Sequence, residues 1–109
     1  MNWKVSYLPE ALEDLRKLDG SQRILIRKAI QKVSQNPLPE TEGGYGKFLG
    51  NKSSTNLSGF LKVKLRGAGL RIVYLLVRRD NDMLVIVIGA RADDEVYETA
   101  HNRIKKHKL

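Results

Sequence analysis

Apolar and polar residues alternate at the start of the chain. Trp3, Val5 and Tyr7 face one way and Lys4 and Ser6 the other, which is the period of a short strand. The period then lengthens. Leu8, Ala11, Leu12, Leu15 and Leu18 recur at helical spacing, with Pro9 where a first helical turn tolerates proline. Asp19 and Gly20 break that helix, and Ser21 is placed to cap the next. Ile26, Ala29, Ile30 and Val33 form the buried stripe of this second helix, which Asn36 and Pro37 end. The two helices read as an antiparallel hairpin.

Residues 37–59 are punctuated by Pro37, Pro39 and a series of glycines. This stretch reads as loop, with room for a short strand at Lys47, Phe48 and Leu49. From Phe60 the period is two. Leu61, Val63 and Leu65 alternate with Lys62, Lys64 and Arg66, giving one apolar and one cationic face. Residues 67–70 read as a hairpin loop. Residues 71–77 are nearly all apolar, as in a central strand covered on both sides. Residues 79–82 turn the chain into a further buried strand over 83–90. Asp93 or Asp94 can cap a final helix, whose inner stripe is Val96, Tyr97, Ala100 and Ile104. The predicted fold is α+β: an N-terminal strand and helical hairpin packed on a curved, mainly antiparallel sheet, with a C-terminal helix.

The length of 109 residues fits one domain, 1–109. Hydrophobic residues make up 41% and charged residues 29%, a folded and not a disordered profile. No apolar run approaches the roughly 20 residues of a membrane span, and the first residues do not form a signal peptide. Cysteine is absent, which favours a reducing, cytoplasmic setting. With His101 and His107 as the only imidazoles, it also argues against a structural zinc site.

Charge changes the picture most. Twenty Lys and Arg against twelve Asp and Glu give a net charge of +8. A field of that sign attracts phosphate backbones and acidic proteins, although it also serves plain solubility. With the loop at 67–70, Arg66 would oppose Arg71 and Lys64 would oppose Val73. Lys62, Lys64, Arg66 and Arg71 would then share one face. Like charges set opposite one another destabilise a sheet, so such crowding has no structural benefit unless an anion fills it. Lys and Arg without acidic pairs or metal ligands suit phosphate recognition and the stabilisation of a phosphorane. Cleavage of RNA needs little more, because the 2′-hydroxyl is the nucleophile. Lysine can act as base where burial and neighbouring cations favour its neutral form, and arginine is a natural electrostatic clamp. A tyrosine can stack on a base.

Each residue also has a plainer reading. Lys62 and Lys64 fit the solvated face of an edge strand. Arg71 and Arg91 could pair with Asp93 or Glu95. Tyr97 lies on an apolar stripe, as a core residue would. His101 and His107 read as surface residues near a frayed C-terminus. Arg103, Lys105, Lys106 and Lys108 read as a solvated basic tail, in which Arg103, Lys105 and Lys106 are candidates for RNA contact.

Taken together, Lys62-Val63-Lys64-Leu65-Arg66, Gly69-Leu70-Arg71-Ile72-Val73-Tyr74, Val87-Ile88-Gly89-Ala90-Arg91 and Glu95-Val96-Tyr97 resemble the RelE/ParE toxin superfamily. The resemblance is closest to the RelE branch of ribosome-dependent mRNA interferases and covers essentially the whole chain, as a single RelE-like toxin domain. It implies the toxin of a type II toxin–antitoxin module, an endoribonuclease that cuts mRNA in the ribosomal A site by 2′-hydroxyl attack and uses no metal or other cofactor. Residue by residue, Lys64 matches the catalytic base and Lys62 a charge-stabilising lysine. Arg71 matches the phosphate-stabilising arginine, and Arg91 the arginine near the leaving 5′-oxygen. Tyr97 matches the tyrosine that stacks on or orients the substrate, and Arg66 a basic RNA contact. The implied partners are a cognate antitoxin, mRNA and ribosomal RNA, with operator DNA reached only through the antitoxin and no membrane. The chain departs from the pattern in the acidic pair Asp93 and Asp94 beside Arg91 and in its long glycine-rich segment. The resemblance leaves two other readings: a ParE-like inhibitor that binds DNA gyrase, and a degenerate member that only binds its antitoxin. Lys64, Arg71, Arg91 and Tyr97 together favour the nuclease, because an inhibitor has no use for that set.

Overall fold

The computed structural model describes residues 3–49, 59–89 and 93–109. The chain runs β1 (Lys4–Tyr7), α1 (Pro9–Lys17), α2 (Gly20–Val33), β2 (Lys47–Phe48), β3 (Phe60–Leu65), β4 (Leu70–Val77), β5 (Asp82–Gly89) and α3 (Asp93–Lys106). The strands form one sheet in the order β1-β5-β4-β3-β2. Three neighbouring pairs are antiparallel, and β1 runs parallel to β5. The α+β architecture expected from the pattern is the one observed. Among the described residues no helix is long and apolar enough to cross a membrane.

The helix starts follow from local chemistry. Pro9 opens α1, where its missing N–H is no loss. Asp19, not Ser21, caps α2. Its carboxylate accepts from the Gln22 amide at 2.8 Å, and the Gln22 side chain accepts in return from the Asp19 amide at 3.2 Å. This reciprocal box needs an acceptor three residues before Gln22, a position Ser21 does not hold. The Ser21 hydroxyl instead donates to Asp19 at 2.8 Å.

The core lies where β4 and β5 meet the helices. Ile26, Leu70, Ile72, Val73, Val85 and Ile86 are fully covered, and burial of each such side chain is worth roughly 2 kcal/mol. Helix α1 packs on β5 and β1, and α3 packs on β5 and β4. A β-bulge interrupts the β4–β5 ladder: Val73 pairs with Val87 but Tyr74 pairs with Val85, leaving Ile86 as the extra residue.

The hairpin register differs from the sequence expectation. Leu65 pairs with Leu70, Lys64 with Arg71, and Lys62 with Val73, so the loop is residues 66–69. Leu70 decides this. It is completely buried, whereas a place in the turn would expose it. Gly69 closes the loop at φ +67°, a left-handed conformation that glycine adopts without strain.

The first part of the glycine-rich segment folds back on the sheet. The buried Tyr74 hydroxyl donates to the Pro37 carbonyl at 2.7 Å. Gly46 lies so close that a Cβ there would stand 2.2 Å from that hydroxyl. This close approach lets the chain enter β2 at Lys47.

Candidate active site

Strands β2, β3 and β4 set their cations on one face. In an antiparallel ladder, paired residues share a face and alternate residues along a strand return to it. Lys47 pairs with Lys62, and Lys64 pairs with Arg71. All four therefore project from the same side. Together with Arg66 in the loop they line a cavity of about 450 Å³. Among the described residues its lining carries these five cationic side chains and no carboxylate. The observed register changes which cations meet, because Lys64 faces Arg71 in place of Arg66.

Tyr97 comes to this face from α3. Lys62 Nζ donates to the Tyr97 hydroxyl. The same ammonium is 4.9 Å from the ring centroid. An ammonium hydrogen-bonded to the phenol oxygen lies beyond the ring edge, so this is an oxygen contact and not a cation stacked on the ring face. Tyr97 is half-buried, and it packs against the core while presenting its hydroxyl to the cationic face. Tyr97 thus packs on the core and still reaches Lys62 on the cationic face. Arg71 is held from the loop side, where its Nη1 donates to the Gly69 carbonyl at 3.2 Å.

The arrangement can hold a phosphate over β3 and β4 and place an amine, a guanidinium and a phenol around it. These are groups for binding an anion and for stabilising charge that develops on it. Arg91, and the side chains of Asp93 and Asp94, lie outside the described residues. Gly89, the last residue of β5, is paired with Arg71.

The basic C-terminal residues divide. Arg103 turns inward. Its Nη1 and Nη2 reach the two carboxylate oxygens of Asp14 at 2.6 and 3.1 Å, and Nη1 also donates to the Ile86 carbonyl at 2.9 Å. Arg103 is therefore corrected from an RNA contact to a structural ion pair, because both its forks are committed beneath the helices. Lys106 and His107 both reach Glu10, each at 3.0 Å, which ties the end of α3 to α1. The end of α3 is thus anchored and not frayed. His107 hydrogen-bonds Glu10 first and Lys106 second, and these contacts pull the Glu10 carboxyl down to about 2. Lys105 and His101 are exposed.

The sequence reading missed Lys47, although it anticipated a short strand there. The signal was incomplete, because the 49–59 connection does not reveal which β3 residue Lys47 opposes.

No protein-family model matches the sequence. The chain is 30% identical over 104 residues to the mRNA interferase toxin RelE of Escherichia coli K12, covering 95% of this chain and 99% of the relative. It is 28% identical over 105 residues to a RelE-like toxin protein of Escherichia coli, covering 96% of this chain and all of the relative. Among solved structures, a mutant E. coli RelE in the free state superposes with a TM-score of 0.73 at 29% identity, covering 95% of this chain and 99% of that one. The same toxin mutant bound to an antitoxin RelB peptide gives a TM-score of 0.66 at 28% identity, covering 92% and 95%. The cationic face, the order of elements and near-complete coverage at this identity agree: the chain belongs to the RelE toxin family.

Proposed function

We propose that residues 1–109 act as a single toxin domain of a type II toxin–antitoxin module, an mRNA interferase that cuts mRNA in the ribosomal A site. The observation that carries this reading is Lys64 standing directly opposite Arg71, with Lys62 next along the same face. A phosphate between these two side chains is held from both strands by charge-assisted hydrogen bonds.

The reaction needs one nucleophile, and RNA supplies it. The 2′-hydroxyl oxygen forms a bond to the adjacent phosphorus. The Lys64 amine takes the hydroxyl proton as the bond forms. Lys62 and Arg71 hold the charge that grows on the non-bridging oxygens. The bond to the 5′-oxygen breaks, Arg91 stabilises the charge on that departing oxygen in the role that the family resemblance implies, and the oxygen takes up a proton from water. The products are a 2′,3′-cyclic phosphate and a 5′-hydroxyl. Tyr97 orients the substrate and holds Lys62 through its hydroxyl, and Arg66 steadies the RNA at the loop. Under this reading the ribosome presents the A-site codon and the protein acts in the cytoplasm. A cognate antitoxin, with an acidic or amphipathic segment suited to this basic surface, would keep the site covered.

Primer extension on a defined mRNA, with and without programmed ribosomes, tests this. Cuts confined to A-site codons, and only in the presence of ribosomes, are the expected result. Folded, antitoxin-free protein that leaves the mRNA intact would overturn the reading, and a gyrase supercoiling assay would then separate inhibitor from binding-only protein.

A further inference from the structure

We infer that Lys47 is a positioning residue for RNA, holding a phosphate next to the scissile one, an inference that rests on the mRNA interferase reading. Lys47 is exposed on β2, at the edge of the sheet. It lines the same cavity as Lys62, Lys64 and Arg71. It stands one strand beyond Lys62, and each strand step is about 4.8 Å. Lys64 and Arg71 share one phosphate position across β3 and β4. Lys47 lies one strand further over and two residues along the ladder, where a strand of RNA crossing the sheet presents its next phosphate.

Two features separate Lys47 from an ordinary surface lysine. First, it is set directly opposite another lysine, Lys62. Like charges in register oppose folding, so nothing in the sheet itself favours a cation there. Among the described residues Lys47 has no ion-pair partner to offset that repulsion. Second, its position is built. The close approach of Gly46 to the Tyr74 hydroxyl, and the Tyr74 bond to Pro37, fix the chain immediately before Lys47. A floppy edge would let the backbone drift, and this one fixes the point from which the Lys47 side chain extends.

Lys47 touches no reacting atom under this inference, so it acts on binding more than on the chemical step. The test compares wild type with Lys47→Gln and Lys47→Arg on programmed ribosomes, using single-turnover cleavage. Binding to ribosomes carrying an uncleavable mRNA, with 2′-deoxyribose in the A-site codon, is measured in parallel. Lys47→Gln should raise the half-saturating concentration about tenfold, the size of one lost charge-assisted contact, with a much smaller fall in maximal rate. Its binding should depend on salt less steeply, by about 0.7 in the log–log slope. Lys47→Arg should restore both. Lys47→Gln should also melt at the same temperature as wild type or higher, since a like-charge pair has been removed. Unchanged half-saturation and salt slope would overturn the inference while leaving the nuclease reading intact. Equal impairment in both variants with a lowered melting temperature would overturn it as well, by making Lys47 structural. Lys47-dependent, salt-sensitive binding by a wild-type protein that never cuts would do the reverse, sustaining Lys47 and sinking the nuclease.

Discussion

Arg103 of α3 grips Asp14 of α1 with both terminal nitrogens, and the pair sits on the edge of β5. The reason lies in the sheet. β1 accompanies β5 only as far as Val85, and the bulge leaves Ile86 out of the β4 ladder. Beyond that point, among the described residues, no strand pairs with this edge of β5. Asp14 accepts from the Ile88 amide at 3.1 Å, and Arg103 donates to the Ile86 carbonyl. Two side chains thus take over where the neighbouring strand ends. Each is only 17% exposed. Removing one partner strands the other charge and a backbone group, and breaking such a pair costs about 3 kcal/mol or more. Arg103→Ala and Asp14→Asn should each lower the denaturant midpoint markedly while leaving the salt dependence of RNA binding unchanged. A shallower salt slope in a stably folded Arg103→Ala protein would return Arg103 to the RNA surface.

Lys64 and Arg71 should behave in the opposite way. Lys64→Ala and Arg71→Ala are each expected to slow mRNA cleavage by more than ~100-fold, comparable to the loss of one preorganised charge-stabilising donor. Each variant should still fold, because Lys64 is exposed and Arg71 only half-buried. Single-turnover rates and thermal melting on the same samples check both halves. Full activity in both variants would remove the site assignment.

The link between α3 and α1 makes stability depend on acid. Hydrogen bonds from His107, then Lys106, hold the Glu10 carboxyl at about 2 against an ordinary value of 4.5. A carboxyl depressed in the folded state contributes stability above its unfolded value and loses it as protons bind. The contribution should therefore be full above about pH 4.5 and fade as the pH falls towards 2. Melting temperature followed over that range should fall less steeply in Glu10→Gln than in wild type. Parallel curves for the two proteins would mean that the contact contributes nothing in solution.

Much of this was legible from residue order. The switch from period two to helical spacing and back gives the elements, because burial of one face imposes those periods. The cations of β3 were legible for the same reason. The register was not, because loops 66–69 and 67–70 satisfy the local pattern equally, and only burial of Leu70 against the core separates them. Arg103 was placed in a solvated tail because it is charged, and Asp14 was not singled out at all. Each in fact lies on an inner stripe, Arg103 at helical spacing from Val96 and Ala100 and Asp14 from Ala11 and Leu18, and a charge on the inner stripe of both helices was the available signal. Lys47 could not be placed, since the pairing of β2 depends on a long connection and not on local pattern.

The contact between Gly46 and Tyr74 gives the glycine-rich segment a role that can be tested by paired substitution. A methyl group at residue 46 would stand 2.2 Å from the Tyr74 hydroxyl and 3.1 Å from Leu61 Cδ1. Neither neighbour gives way easily. Tyr74 is completely buried, its hydroxyl is bound to Pro37, and burial pushes its ionisation well above the ordinary phenol range. Gly46→Ala should therefore destabilise by about 1–3 kcal/mol, the usual scale of overpacking. Tyr74→Phe should also destabilise, by leaving the Pro37 carbonyl without its donor. The double variant should lose less than the sum of the two, because the added methyl then moves into space the hydroxyl has left. If β2 is placed by this contact, Gly46→Ala should also shift the Lys47 amide signal and weaken RNA binding in the protein that remains folded. Strict additivity, with Lys47 undisturbed, would mean that β2 is held by its pairing to β3 alone.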